Sequence, residues 1–245
     1  MLGQKSLFEK AKEIIKLSDN IVFFGGAGVS TASGVPDFRS ENGIYSQKRG
    51  GRSPEYYLSH DYYLDDPKGF SELIREMYGW SAVKPNEAHY ALAKLEKEGK
   101  LKAVVTQNID GLHQKAGSKA VYEIHGNLED YYCGNCHVNA PKEDFLNADG
   151  VCRCKHCGGV VRPDVVLYGE GLNMDTYYKA IDAIQNADVF IVGGSSLVVY
   201  PAAGLLNYYN GKKLILINRE ETLADYKANY SIHGDISEIL PALIY

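Results

Sequence analysis

No stretch of this 245-residue chain approaches the roughly 18 consecutive apolar residues of a membrane-spanning helix. The first residues also lack the apolar core of a signal peptide. Lys5, Glu9, Lys10, Lys12, Glu13 and Lys16 interrupt it. The expectation is a soluble, cytoplasmic protein with no membrane partner. Excess positive charge is missing too. The formal net charge is −5, whereas proteins that grip nucleic acid through its phosphates are usually basic. Direct nucleic-acid binding is not expected, and a cationic peptide suits this surface better. Cysteine is absent outside 133–157, where five lie together. An odd, clustered set in a reducing compartment points to metal ligands rather than to disulfides. Composition is otherwise ordinary, with 45% hydrophobic and 23% charged residues, which excludes a disordered or fibrous chain. A chain of this length buries roughly three quarters of its unfolded surface and fits one large or two unequal domains.

What is present alternates. Residues 6–18 have helical periodicity, with Ser6 and Glu9 at capping-box spacing. Ile21 to Phe24 is a short apolar run of the kind found in buried parallel strands. Residues 86–98 form a second helix, entered after Pro85 and stopped by Gly99. Leu101–Gln107, Asp188–Val192 and Lys213–Ile217 read as strands. Helices are expected over 174–187 and from Pro201 to about Tyr209. This rhythm implies right-handed crossovers and a parallel sheet. Residues 41–84 and 126–164 break it and read as insertions that form a smaller lobe.

Five motifs carry chemistry. Gly25–Gly28 with Ser30 follows a strand and precedes a helix, where backbone N–H groups can receive a pyrophosphate. The G-x-G-x-x-G fingerprint is incomplete, since Thr31 holds the third glycine position, and the same residues fit a plain tight turn. Cys133-x2-Cys136 and Cys154-x2-Cys157 have zinc-ribbon spacing. Four thiolates leave no open coordination position, so the Zn2+ is structural. Cys152 reads as a bystander, and His137 and His156 as solvated loop residues. Thr106–Asp110 ends a strand, where ligands bind in open α/β sheets and where turns also form. His125 follows a short apolar run and precedes the cysteine insertion. Histidine is the usual general base near neutral pH, and a lobe junction is where clefts form. Gly193–Ser196 follows another strand and could bind a ribose or phosphate, or be a loop of small residues. Asn218 ends a further strand with a polar group.

In this order the motifs resemble those of the sirtuins, the NAD-dependent protein deacylases, over about residues 19–245. They are GAGVS (26–30), GVPDFRS (34–40), TQNIDGLH (106–113), HG (125–126), the two cysteine pairs, RPDVVLYGE (162–170), GSSLVVYPA (194–202) and IN (217–218). The resemblance implies an α/β fold with a Rossmann-like parallel sheet. The NAD lobe would comprise 1–40, 85–125 and 165–245. A smaller inserted lobe would combine a helical and cofactor-loop module (41–84) with a zinc ribbon (126–164). It also implies an NAD-consuming, monomeric deacetylase acting on an acetylated protein or peptide, with one structural Zn2+.

Carried over by position, Gly26, Ala27, Gly28 and Ser30 would lie near the phosphates. Asp37, Phe38 and Arg39 would close over NAD. Gln107 and Asn108 would meet the ribose or its water, with Asn108 also catalytic. Ile109 and Asp110 would line the nicotinamide pocket, and His125 would be the general base. Gly194, Ser195, Ser196, Asn218, Asp235 and Ile236 would hold the adenosine half. Val166, Tyr168, Gly169, Glu170, Leu197, Val198 and Val199 would line the peptide and acyl-lysine channel. The implied reaction couples amide cleavage to loss of nicotinamide, with the acyl oxygen attacking the ribose. It requires no protein nucleophile.

Three rivals share these residues: a mono-ADP-ribosyltransferase on the same scaffold, a zinc-ribbon module that only senses NAD, and a hydride-transferring dehydrogenase. Asn108, His125 and an apolar channel favour deacylation. Nothing marks a hydride acceptor. Relative to the family pattern, Gly25 replaces threonine, Gly193 a bulkier apolar residue and Tyr168 phenylalanine. The stretch Leu73–Tyr78 lacks the Tyr-x-x-Arg pair of acidic-acyl-selective members, so deacetylation is expected over desuccinylation.

Overall fold

A computed structural model describes residues 2–37, 43, 51–80 and 83–245. The chain runs α1 (Leu2–Leu17), β1 (Ile21–Gly25), α2 (His60–Asp65), α3 (Pro67–Trp80), α4 (Glu87–Lys97), β2 (Leu101–Thr106), α5 (Leu112–Ala116), β3 (Val121–Glu123) and β4 (Gly126–Cys133). It continues through β5 (Asn139–Ala140), α6 (Lys142–Leu146), β6 (Val161–Val165), α7 (Met174–Asn186), β7 (Val189–Gly193), β8 (Leu214–Asn218), β9 (Tyr230–His233) and α8 (Ile236–Ile244).

Six strands form one parallel sheet in the order β3-β2-β1-β7-β8-β9. The first three strands step outward one way from β1 and the last three step the other way. This is the Rossmann arrangement, whose strand order reverses between β1 and β7. β1, β7 and β8 are buried at every residue because helices cover both faces, which is why they read as continuous apolar runs. One face packs on Ala11 and Ile15 of α1, Leu92 and Leu95 of α4, and Leu240 and Leu243 of α8. The other packs on Ala180 and Ile184 of α7 and on Leu205 and Leu206.

A second, three-stranded sheet (β5-β4-β6) is antiparallel. Its residues Leu128, Tyr131 and Val161 share a third core with Phe70, Ile74 and Met77 of α3. Both segments that break the alternation therefore contribute to one core, although β2 and α4 separate them in sequence.

Several local expectations change. Helix α1 begins at Leu2, so Ser6 lies inside it and caps nothing. Gly3 is tolerated there because one helical glycine costs only about 1 kcal/mol. The segment after Pro201 is a 3-10 helix, Ala202–Tyr208, rather than an α-helix. Residues three apart eclipse in that geometry, so Ala202 stacks with Leu205 and Ala203 with Leu206, all buried. Gly204 weakens the α-helical alternative. The glycine turn likewise leads into two 3-10 turns, Ala27–Val29 and Thr31–Ser33, ending at Gly34 with φ +91°. Ser30, Thr31 and Ser33 are poor helix formers, and Pro36 follows. Among the described residues no helix is long and apolar enough to cross a membrane.

Candidate active site

The carboxyl ends of β1 and β7 pair side by side, Gly25 with Gly193, so both glycine motifs meet at the topological switch. Gly28 N–H donates to the Gly194 carbonyl at 2.8 Å. A Cβ on Gly28 would stand 2.8 Å from Gly194 Cα, and one on Gly194 2.5 Å from the Val29 nitrogen. Glycine at both positions is thus required for the two loops to approach each other.

Beyond these strand ends lies a cavity of about 300 Å3. Of the residues expected in the site, Gly26, Ala27, Asp37, Gln107, Asn108, Ile109, His125, Gly194, Ser195 and Ser196 line it. So do Val166, Tyr168, Gly169, Glu170 and Val199. Leu58, Met77, Val165, Leu167, Leu172, Tyr200 and Pro201 also line it. No motif marks Leu58 and Met77, because only the packing of 51–80 against the second sheet brings them to the wall.

His125 is held by Gln107, whose carbonyl oxygen lies 3.2 Å from Nδ1. A carbonyl can only accept, so Nδ1 carries the proton and Nε2 keeps its lone pair. Burial pushes the His125 pKa down, and the Gln107 contact partly opposes this. The ring is neutral near neutral pH and able to act as a base. Gly126 has φ +73°, and a Cβ there would fall 1.8 Å from the Asp164 carbonyl oxygen, so the HG dipeptide joins a base to a crossing only glycine permits.

Ser30 and Asp110 do not line the cavity. Both are buried and support it from beneath. Ser30 Oγ donates to Asp110 Oδ2 at 2.7 Å and accepts from Asn108 Nδ2 at 3.1 Å. Asp110 Oδ1 accepts from the Leu112 N–H at 2.9 Å. Burial pushes the Asp110 pKa up, against the Leu112 and Ser30 hydrogen bonds. With Nδ2 committed, Asn108 offers Oδ1 as its acceptor.

Ser195 is fixed twice: Gln107 Nε2 donates to its Oγ at 2.9 Å, and its N–H donates to Asn218 Oδ1 at 3.0 Å. Asn218 stands behind the wall, and its buried Nδ2 has no hydrogen-bond partner among the described residues. Asp235 caps α8 through Ser237 N–H and pairs with Arg219. Ile236 is a core residue, 3% exposed. Leu197 is half-buried with φ +56° and Val198 is exposed, and neither lines the cavity. Phe38 and Arg39 lie outside the described residues.

The sulfurs of Cys133, Cys136, Cys154 and Cys157 all lie within 4.8 Å of one another. Cys133 and Cys157 are 3.5 Å apart, and Cys136 and Cys154 3.8 Å. Zn–S bonds of about 2.3 Å in a tetrahedron place sulfurs roughly 3.8 Å apart, so the set fits Zn2+. Backbone N–H groups of Asn135 and His156 donate to Cys133 and Cys154 sulfur, both at 3.4 Å, which favours thiolates. Cys152 is outside the set and packs in the third core.

The model of the Sir2 family matches residues 26–201. A Clostridium perfringens protein named NAD-dependent protein deacetylase is 54% identical over 237 residues, 96% of this chain and 97% of that protein. A structure from a study of the mechanism and regulation of Sir2 enzymes superposes with a TM-score of 0.89 at 41% identity, covering 98% and 97% of the two chains. A Sir2 structure with a p53 peptide and NAD+ does so at 0.83 and 40% identity, with 94% of each chain covered. A switch-point cavity, a base beside it and a four-cysteine ribbon agree with these likenesses, and the chain belongs to the Sir2 family.

Proposed function

We propose that this protein is an NAD-dependent protein-lysine deacetylase, passing the acetyl group of acetyl-lysine to ADP-ribose and releasing nicotinamide. The observation that carries this reading is the neutral His125, its proton fixed on Nδ1 by Gln107, in the same cavity as Asn108 and an apolar wall. NAD, when bound, supplies a ribose carbon from which nicotinamide can leave. Gly26, Ala27 and Gly194 to Ser196 would hold it at the switch point, where the loops are narrowed by glycine. Asn218, behind the wall, would orient Ser195 through its Oδ1.

His125 Nε2 would take a proton from a ribose hydroxyl. Help of this kind is worth about 10^2–10^4 in rate. Asn108 Oδ1 would orient that hydroxyl or a water. Val166, Tyr168 and Val199 would receive the acyl-lysine chain. An apolar channel admits the neutral amide and rejects free lysine, because burying an unpaired ammonium is costly. No cation from Leu73–Tyr78 lines the cavity, which supports acetyl over succinyl groups. The four cysteines would hold a structural Zn2+ away from the reacting atoms.

Mass spectrometry of an acetyl-lysine peptide with and without NAD tests the reading. The expected result is loss of the acetyl group only with NAD, together with O-acetyl-ADP-ribose. ADP-ribose added to protein without deacetylation would assign the transferase instead. No NAD turnover on any acyl peptide would leave a binding module. Equal or greater turnover on succinyl-lysine would overturn the acyl preference.

A further inference from the structure

The cavity wall formed by residues 165–169 has no regular secondary structure after β6, yet it is tied down on three sides. Arg162, on β6 and only 2% exposed, forks onto Glu170: Nη1 donates to Oε1 at 2.5 Å and Nη2 to Oε2 at 3.0 Å. The same Nη2 donates to the Val165 carbonyl at 2.6 Å. Glu170 Oε2 also accepts from the Leu167 N–H at 2.9 Å. These bonds pin the wall at both ends and once in between. The guanidinium carbon lies 5.0 Å from the ring centre of Tyr63 and 5.7 Å from that of Tyr132, so α2 and β4 enclose the charge.

The wall is joined outward as well. Val166 N–H donates to the His125 carbonyl at 2.9 Å, Tyr168 N–H to the Leu58 carbonyl at 2.9 Å, and His60 N–H to the Tyr168 carbonyl at 2.9 Å. His60 Nδ1 stands 2.8 Å from Glu170 Oε1. Through Glu170, one carboxylate links the second sheet, the wall and the start of α2.

We propose that Arg162 and His60 are positioning residues for the peptide substrate, acting through Glu170 to hold the 165–169 wall in the shape that receives acyl-lysine. Charge-assisted, bidentate pairs fix geometry as well as energy, and lysine cannot reproduce the fork. Neither Arg162 nor His60 lines the cavity. Among the described residues no hydrogen bond joins the Gln107–Ser195–Asn218 side, assigned above to NAD, to Arg162, His60 or Glu170; the two sides meet at His125, which bonds Gln107 through its ring and Val166 through its carbonyl. The clamp therefore acts on peptide affinity and leaves NAD affinity alone. It rests on the deacetylase reading.

The test is calorimetric titration of zinc-loaded full-length protein, wild type and variants, with an acetyl-lysine peptide and separately with NAD. Arg162→Lys is expected to weaken peptide binding about tenfold or more, and NAD binding by less than about twofold. His60→Ala, at a half-exposed side chain, is expected to weaken peptide binding about threefold, and His60→Gln to recover most of it. Equal losses for peptide and NAD would show a general structural defect and overturn the proposal, as would unchanged peptide affinity in both variants. If Arg162→Lys does not fold, His60→Ala decides alone. A wild type that binds no acetyl-lysine peptide would overturn the deacetylase reading itself, whereas a wild type that binds while both variants bind equally well would overturn only the clamp.

Discussion

His125 and Ser30 show how differently two polar residues serve one site. The imidazole touches the cavity and keeps one nitrogen for chemistry. The serine is buried and spends its oxygen on Asp110 and Asn108. His125→Ala is expected to cut turnover about 10^2–10^4-fold while the protein stays folded at pH 7, and retention of full activity would remove the mechanism. Ser30→Ala is expected to destabilise by about 1–3 kcal/mol, because Asp110 and Asn108 each lose a buried partner, read as a lower midpoint in urea. The motifs named the residues that gather here. They did not separate Gly26 and Gln107, on the wall, from Ser30, Asp110 and Asn218, behind it. That division depends on 3-10 turns and on the contact between two distant loops, and neither leaves a period in the sequence.

Among the elements, the cysteine ribbon and the central strands were legible and the edges were not. β1, β7 and β8 announce themselves because burial on both faces demands unbroken apolar residues. β9 is a four-residue edge strand, partly exposed, and α8 carries Pro241 inside an almost wholly apolar run, so neither shows a clean repeat. The ribbon was readable because coordination chemistry fixes its spacing. Cys154→Ser is expected to lose bound zinc and to melt the second sheet, since metal binding and folding are coupled. Cys152→Ser is expected to retain full zinc. Metal analysis and near-ultraviolet circular dichroism read both, and the reverse pattern would reassign the ligands.

Across the whole molecule, acid stability is written in buried histidines. Burial pushes the His89 pKa down to about 4 and that of His113 well below its ordinary value, with His89 adding to the effect on His113. Unfolded histidine titrates near 6.5, so below that pH the unfolded chain binds more protons than the folded one. Stability is complete above about pH 6.5 and falls as the pH drops toward 4, with His89 alone contributing on the order of 3 kcal/mol. His125 acts in the same direction, and Asp110, with its raised pKa, in the opposite one. Thermal melts between pH 7 and pH 5 are expected to show this decline. Neither ring nitrogen of His113 has a hydrogen-bond partner among the described residues. His113→Leu is therefore expected to flatten the decline and to match or exceed wild-type stability at pH 7. A steeper decline would refute the assignment.

The third core also sets a timetable for synthesis. Its first half, around Phe70, Ile74 and Met77, leaves the ribosome about fifty to sixty residues before Leu128 and Tyr131. At about 5–20 residues per second, that apolar helix face lacks its partner sheet for several seconds on every nascent chain. Slow translation through 80–130, or scarcity of holdase chaperones, would thus lower the yield of active enzyme without altering a single residue of it.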